Sequence, residues 1–206
     1  YNPPMDVIRF FRAVPLTASR LEVLLDLARL TDPDVTGVET EHCFNVQLTA
    51  PLSPEQRDVL TWLLAETFQP QAFGSHSFLD PTDGAVLEVG PRLTFTTAWS
   101  SNAVSICRAC GLQAVDRIER SRRFLLRGSR RQNHPIAGPF LAAVHDRMTE
   151  LFYVEPLRSF TTAVRPDPVV RVPVLERGRT ALEDLNRDLG LAFDDWDLDY
   201  YTRLFT

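Results

Sequence analysis

The sequence predicts an α+β fold of two ferredoxin-like, small-subunit-like halves, with antiparallel strands and packed helices. Three observations predict it. Strand-like and helix-like segments alternate up to residue 153; the strand-like segments are long and half polar; and a proline-dense connector then leads to two further helices.

The first strand is DVIRFFRAV, residues 6–14, aromatic and alternating. A helix over residues 17–31 follows, with Leu21, Leu24, Leu25 and Ala28 as its apolar stripe and Thr17 or Ser19 as its cap. Residues 35–50 alternate Val38, Thr40, His42, Phe44, Val46 and Leu48 on one face, as a long strand does. Ser53-Pro54-Glu55-Gln56 then supplies a cap, a proline at the first helical position and a glutamine three residues after the cap. Val59, Leu60, Leu63 and Leu64 make the stripe of that helix.

Residues 69–84 read as a loop, and residues 85–95 as a strand interrupted at Gly90-Pro91. Ser100 or Ser101 caps a helix whose inner side holds Ala103, Val104, Ile106, Cys107 and Cys110, with Gly111 closing it. A strand over residues 114–126, a polar loop over 127–138 and a helix over 139–153 complete the second half. That helix turns Phe140, Leu141, Val144, Met148 and Leu151 inward.

The halves fall at residues 6–71 and 85–153 and share no appreciable sequence identity, so their likeness is one of pattern. The expected organisation is a tandem module over residues 1–153, a connector over 154–174 carrying Pro156, Pro166, Pro168 and Pro173, and a helical segment over 175–206. In that last segment two helices flank Leu189-Gly190-Leu191, and Asp194 or Asp195 caps the second.

A chain of 206 residues with 44% hydrophobic content can bury a core, and it contains no apolar run of membrane-spanning length. The N-terminus lacks a signal pattern and does not begin with Met, which reads as a processed or excised start. A formal charge of −5 argues against non-specific nucleic-acid binding. Every one of the 22 basic residues is arginine, so phosphate-cradling, Schiff-base and general-base lysines are all excluded. Three cysteines make no disulfide framework and favour a reducing compartment.

Four stretches could carry chemistry. Cys107 and Cys110 lie at i and i+3 on one helix face, but near its C-terminus, where the dipole opposes a thiolate. A zinc site would need two more ligands, and Cys43, His42, His76, His134 and His145 show no paired spacing. The structural reading of the pair is preferred. Residues 117–131 hold seven arginines, with Arg120 and Arg122 on one strand face and Arg117 and Arg123 on the other. A phosphate site or an ion-paired domain contact fits them, against a solvated edge strand; for RNA only Phe124 is interleaved. His145-Asp146 lacks a nucleophile and reads as the polar edge of a helix. Asp195, Asp197 and Asp199 alternate without the glycine or closing glutamate of a calcium loop, and read as a docking or solvated face.

Taken together, GVETEHCFNVQLTA, LEVGPRLTFTTAWSSNAVSICRACGL, VDRIERSRRFLL, VHDRMTE and GLAFDDWDLDYYTRLF, in this order, resemble the N-terminal region of the phosphoribosylformylglycinamidine synthases. The likeness covers most of residues 37–205, its block at residues 88–112 is the most specific part, and the wording is closest to plant and algal members. The resemblance implies a large, single-chain amidotransferase of purine biosynthesis. That enzyme turns formylglycinamide ribonucleotide, ATP and glutamine into the amidine, ADP, phosphate and glutamate. This stretch would be its N-terminal small-subunit-like module with the start of a helical linker domain. The synthetase and glutaminase domains of the same polypeptide would then be its partners, with no nucleic acid and no membrane. ATP and magnesium would belong to the full enzyme, with no catalytic, cofactor or metal residue in this part. The module would hold synthetase and glutaminase together and help shield ammonia in transit, because ammonia released to water is protonated or lost.

Arg92, Thr94, Thr96, Asn102, Arg120 and Arg122 are the expected interdomain or phosphate-proximal residues. A plant-type enzyme would sit in the plastid stroma, otherwise in the cytoplasm. The rival readings are a stand-alone scaffold of the same fold, separated by the size of the natural polypeptide, and a thiol-active protein, separated by the reactivity of Cys107 and Cys110.

Overall fold

The computed structural model describes residues 7–65, 69–129, 139–161 and 168–205. The Arg130-Arg131 end of the arginine-rich stretch, His134 and Pro166 lie outside them. The chain divides into two compact units, residues 1–163 and 164–206.

The first unit contains β1 (Ile8–Ala13), α1 (Ala18–Thr31), β2 (Gly37–Leu48), α2 (Pro54–Ala65), β3 (Phe73–Gly74), β4 (Gly84–Pro91), α3 (Ala98–Ala109), β5 (Val115–Arg127), α4 (Pro139–Val144) and β6 (Glu150–Phe152). The six strands form one sheet in the order β3-β1-β2-β5-β4-β6, every described pairing antiparallel. The expected α+β class and its two halves are present, joined in a single sheet. Each half runs strand, helix, long strand, helix, short strand, and in each the short strand pairs outside the first. The long strands β2 and β5 meet at the centre, from Gly37 opposite Arg127 to Leu48 opposite Val115.

Strand alternation divides the side chains between two faces. On one face Val38, Phe44, Val46, Ile118, Phe124 and Leu126 support two apolar clusters. Helices α1 and α4 cover the first through Leu24, Ala28, Phe140 and Val144. Helices α2 and α3 cover the second through Leu60, Leu64, Val104 and Cys107. Each pair therefore takes one helix from each half. The register places Glu41, Cys43 and Asn45 opposite Arg123, Ser121 and Glu119 on the other face, and these are buried too, apart from a partly covered Arg123.

The helix caps follow local chemistry. Ser53 and Gln56 form the expected reciprocal box: the Gln56 amide donates to Ser53 Oγ at 3.2 Å and the Ser53 amide to Gln56 Oε1 at 3.0 Å. Thr17 caps α1. For α3 the cap is Thr97, not Ser100 or Ser101; Ser100 lies inside the first turn, fully buried, and donates its amide to Thr97 Oγ1 at 3.1 Å. Gly111 closes this region at φ +83°, a conformation that favours glycine. The expected helix over 139–153 is a second correction. It ends at Val144, because Asp146 accepts from the Met148 amide at 2.8 Å and from Thr149 Oγ1 at 2.9 Å. Such a turn competes with helix; it sends the chain into β6, with Met148 exposed. The expected loop over 69–84 contains the two-residue strand β3, and β4 runs on through Gly90 to Pro91.

The second unit contains α5 (Val174–Arg177), α6 (Arg179–Leu189) and α7 (Asp195–Phe205), packed on Val174, Leu182 and Leu198. Gly190 takes a left-handed conformation after α6, and Asp194 caps α7 by accepting from the Asp197 amide at 2.9 Å. Two of the three alternating tail aspartates, Asp195 and Asp199, grip Arg179 together with Glu183.

Candidate functional site

The site is built from the turn between β4 and α3 and from the outer face of α3. Arg92, Thr94 and Thr96 lie exposed on that turn. The turn is anchored from beneath by residues whose own sequence context gave only their strand face. Arg117 donates Nη1 to the Leu93 carbonyl at 3.3 Å and Nη2 to the Phe95 carbonyl. Its Nε and Nη2 also hold Glu119 Oε1 at 3.1 and 2.9 Å. Glu119, almost fully buried, accepts from the Thr97 amide at 3.1 Å and from Thr97 Oγ1 at 2.7 Å. One ion pair on β5 therefore fixes both the carbonyls of the turn and the cap of α3. The Phe160 ring lies 4.5 Å beneath the Arg117 guanidinium.

The other end of the turn is held as firmly. The Arg92 amide donates to the Thr149 carbonyl at 2.9 Å, and its Nη2 to the Arg147 carbonyl at 2.8 Å. Tyr153 donates its hydroxyl to the Pro91 carbonyl at 2.7 Å. A Cβ on Gly90 would stand 2.7 Å from the Tyr153 ring, so only glycine lets the ring lie there. Burial raises the Tyr153 phenol well above its ordinary range.

Beside the turn, α2 and α3 leave a groove of about 380 Å³ with Phe44, Leu63, Leu64, Trp99, Ala103, Ile106 and Cys107 among its walls. Asn102 and Arg120 stand at it together, so two of the sequence candidates meet here. The Arg120 guanidinium lies 5.6 Å from the Trp99 ring centre, and Trp99 packs 6.0 Å from Phe44. Arg122 is engaged elsewhere: its Nη2 lies 2.7 and 2.6 Å from the Glu150 carboxylate oxygens and 2.9 Å from the Val144 carbonyl.

Cys107 belongs to the core rather than to a reactive pair. Burial and the neighbouring Cys110 raise its thiol to about 11, and Cys110 is exposed. Burial, then Glu88, raises Cys43 to about 12. Among the described residues no group of three or more His, Cys, Asp or Glu side chains could hold a metal ion, and no helix is long and apolar enough to cross a membrane. His145 Nε2 lies 3.1 Å from the Glu150 carbonyl, and Asp146 supports its own turn, so neither is arranged for proton transfer.

This combination defines an α+β protein with one six-stranded antiparallel sheet, helices on one face and an anchored turn beside an open groove. Residues 41–159 match the family described as formylglycinamide ribonucleotide amidotransferase N-terminal, and the chain belongs to that family. It is 48% identical to the probable phosphoribosylformylglycinamidine synthase, chloroplastic/mitochondrial, of Arabidopsis thaliana, over 99% of this chain and 15% of that protein. It is 43% identical to the phosphoribosylformylglycinamidine synthase of Dictyostelium discoideum, over 98% of this chain and 16% of that protein. The Homo sapiens enzyme of the same name is 43% identical over 84% of this chain and 13% of that protein. The chain thus spans well under a fifth of the length of these relatives.

Proposed function

We propose that this chain is the non-catalytic N-terminal region of a glutamine-dependent purine-biosynthesis ligase. The whole enzyme would convert formylglycinamide ribonucleotide, ATP and glutamine to formylglycinamidine ribonucleotide, ADP, phosphate and glutamate, with ATP and magnesium held outside this region. The observation that carries this is the family match across the sheet, together with near-complete coverage of this chain by a short share of each relative. Residues 1–153 form the tandem module in this reading, residues 154–174 the connector and residues 175–206 the start of the helical linker domain.

The module acts by docking. Its contact surface is the anchored turn with Arg92, Thr94 and Thr96, continued along α3 by Trp99, Asn102 and Ile106 and bordered by Arg120. Exposed aromatic and arginine side chains beside an apolar groove are the composition of a protein interface. The partners are the synthetase and glutaminase domains of the same polypeptide, and the contact helps keep the ammonia route dry. Arg122, on β5, contributes by tying down β6 across β4 through Glu150. The chloroplastic/mitochondrial relative supports an organellar location of plastid type.

An immunoblot of the natural protein with an antibody against this region tests the reading. A band several times larger than 23.4 kDa is expected. A band near that mass would overturn it in favour of a stand-alone scaffold.

A further inference from the structure

We propose that Arg120, Arg122 and His42 form an oxyanion site that takes a phosphate group. The three lie on the helix-bearing face of the sheet, with α2 and α3 on one side and α1 and α4 on the other. His42 on β2 stands directly opposite Arg122 on β5 and opposite Arg12 on β1. Arg120, two residues before Arg122, is the diagonal neighbour of His42, within reach of a long side chain. Two arginines therefore flank a neutral imidazole across three strands at one level of the sheet. The row is open at its β5 end, where Arg120 is exposed and the Arg122 side chain is 41% exposed.

The hydrogen-bond pattern points to an acceptor. Polar groups withdrawn from water are ordinarily satisfied, so the half-buried His42 imidazole is the informative case; the exposed Arg120 is free to turn its donors to an anion. Among the described residues, the Arg120 guanidinium and the His42 imidazole make no hydrogen bond. All those of Arg122 to described residues leave from Nη2, toward Glu150 and the Val144 carbonyl, so its Nε and Nη1 have no partner among the described residues. A tetrahedral oxyanion accepts from several donors on separate strands at once, which a single carboxylate does less well. The field at His42 has the matching sign. Burial first, and then Arg120, Arg122 and Arg12 in that order, together lower its pKa to about 4.

The site shares Arg120 with the border of the proposed docking surface, but its test reads anion binding alone, so the two readings can fail separately. Phosphate could arrive free or as a monoester, and the experiment separates the two. Protein labelled with ¹⁵N-histidine is titrated with inorganic phosphate and, separately, with phenyl phosphate, at ionic strength held constant with chloride. The His42 resonances should shift to saturation, and Arg120→Gln should weaken binding about tenfold. This variant replaces an exposed side chain without a hydrogen bond, and its amide spectrum reports that the fold is kept. Tighter binding of phenyl phosphate would identify a monoester as the ligand, and equal binding free phosphate. A shift that fails to saturate, that chloride alone reproduces, that acetate matches at equal affinity, or that Arg120→Gln leaves unchanged would overturn the site.

Discussion

On one side of the covered sheet face α1 packs directly on α4, and Phe140 meets Phe124 edge-on at 5.7 Å with nothing of Phe140 exposed. On the other, α2 and α3 leave a groove over Phe44, and Trp62, Trp99 and Ile106 stay 73%, 37% and 53% exposed. The two helix pairs occupy related positions in the tandem fold, and each combines one helix from either half. Their difference therefore comes from side chains rather than from topology. The closed pair completes the core on its side; the open pair leaves apolar surface exposed, the surface proposed to dock, next to a turn that Arg117 and Glu119 hold in place. Rigidity matters for such a contact, because a preorganised surface loses less entropy on docking.

The comparison can be broken at several points. The largest effect is expected on the closed side. Phe140→Ala should cost about 3–5 kcal/mol of stability in urea unfolding, since it removes a fully buried ring and leaves a cavity. A loss below about 1 kcal/mol would mean that α4 is not part of the cooperative core.

A comparable loss is expected at the opposite face of the sheet. Glu88 accepts from Ser121 Oγ at 2.6 Å, pairs with Arg9 and lies 3.3 Å from Arg123 Nε. Glu88→Ala should cost about 3–5 kcal/mol, because the arginine charges would be left partly buried without their carboxylate. The same unfolding measurement with Arg9→Met added should recover part of that loss, as the stranded charge is removed.

A smaller, pH-dependent effect belongs to His42, which lies between the two helix pairs. Its folded pKa of about 4 lies below the unfolded value of 6.5. Between those values the unfolded chain binds the proton and the folded chain does not, so this contribution to stability is lost as pH falls from 6.5 to 4. The full shift would represent about 3 kcal/mol, and solvent screening at a partly exposed ring reduces it to the order of 1–2 kcal/mol. His42→Gln should flatten the stability profile in that window; an unchanged profile would place the titration on other groups.

The smallest stability effect is expected on the open side. Trp99→Ala should cost about 1 kcal/mol, because more than a third of the residue already meets water and its aromatic and cation–π partners are Phe44 and Arg120. A loss as large as that of Phe140 would show that the groove is core, and the asymmetry between the pairs would vanish.

Much of this arrangement was legible in the chain. The Ser53–Gln56 box, the stripes of α1 and α2 and the alternation of β2 all rest on local periodicity, which survives folding because each element buries one side. The structural reading of Cys107 also follows from its place late in a helix. The misreadings share a cause. Asp146 diverts the chain by bonding the next residues' own backbone, so an apolar spacing that continued to Leu151 looked helical across the turn. Thr97 caps α3 because Glu119, from a strand 22 residues away, holds both its amide and its hydroxyl; Ser100 and Ser101 looked equally suitable in isolation. The roles of Arg117 and Glu119 were hidden for the same reason. Alternation assigns a strand residue to a face, but only the assembled sheet supplies the Leu93 and Phe95 carbonyls. In the sequence Arg120 and Asn102 are separate candidates, and the groove that unites them exists only once α2 and α3 settle on β2 and β5.

The most direct measurement is made on the full-length protein carrying Trp99→Ala and Arg92→Ala together, comparing its glutamine-dependent with its ammonia-dependent turnover. If the open face docks the catalytic domains, glutamine-dependent turnover should fall several-fold, and turnover on added ammonia should fall less, because added ammonia does not depend on the sealed route. Both rates unchanged from the unsubstituted enzyme would contradict a docking role for this face.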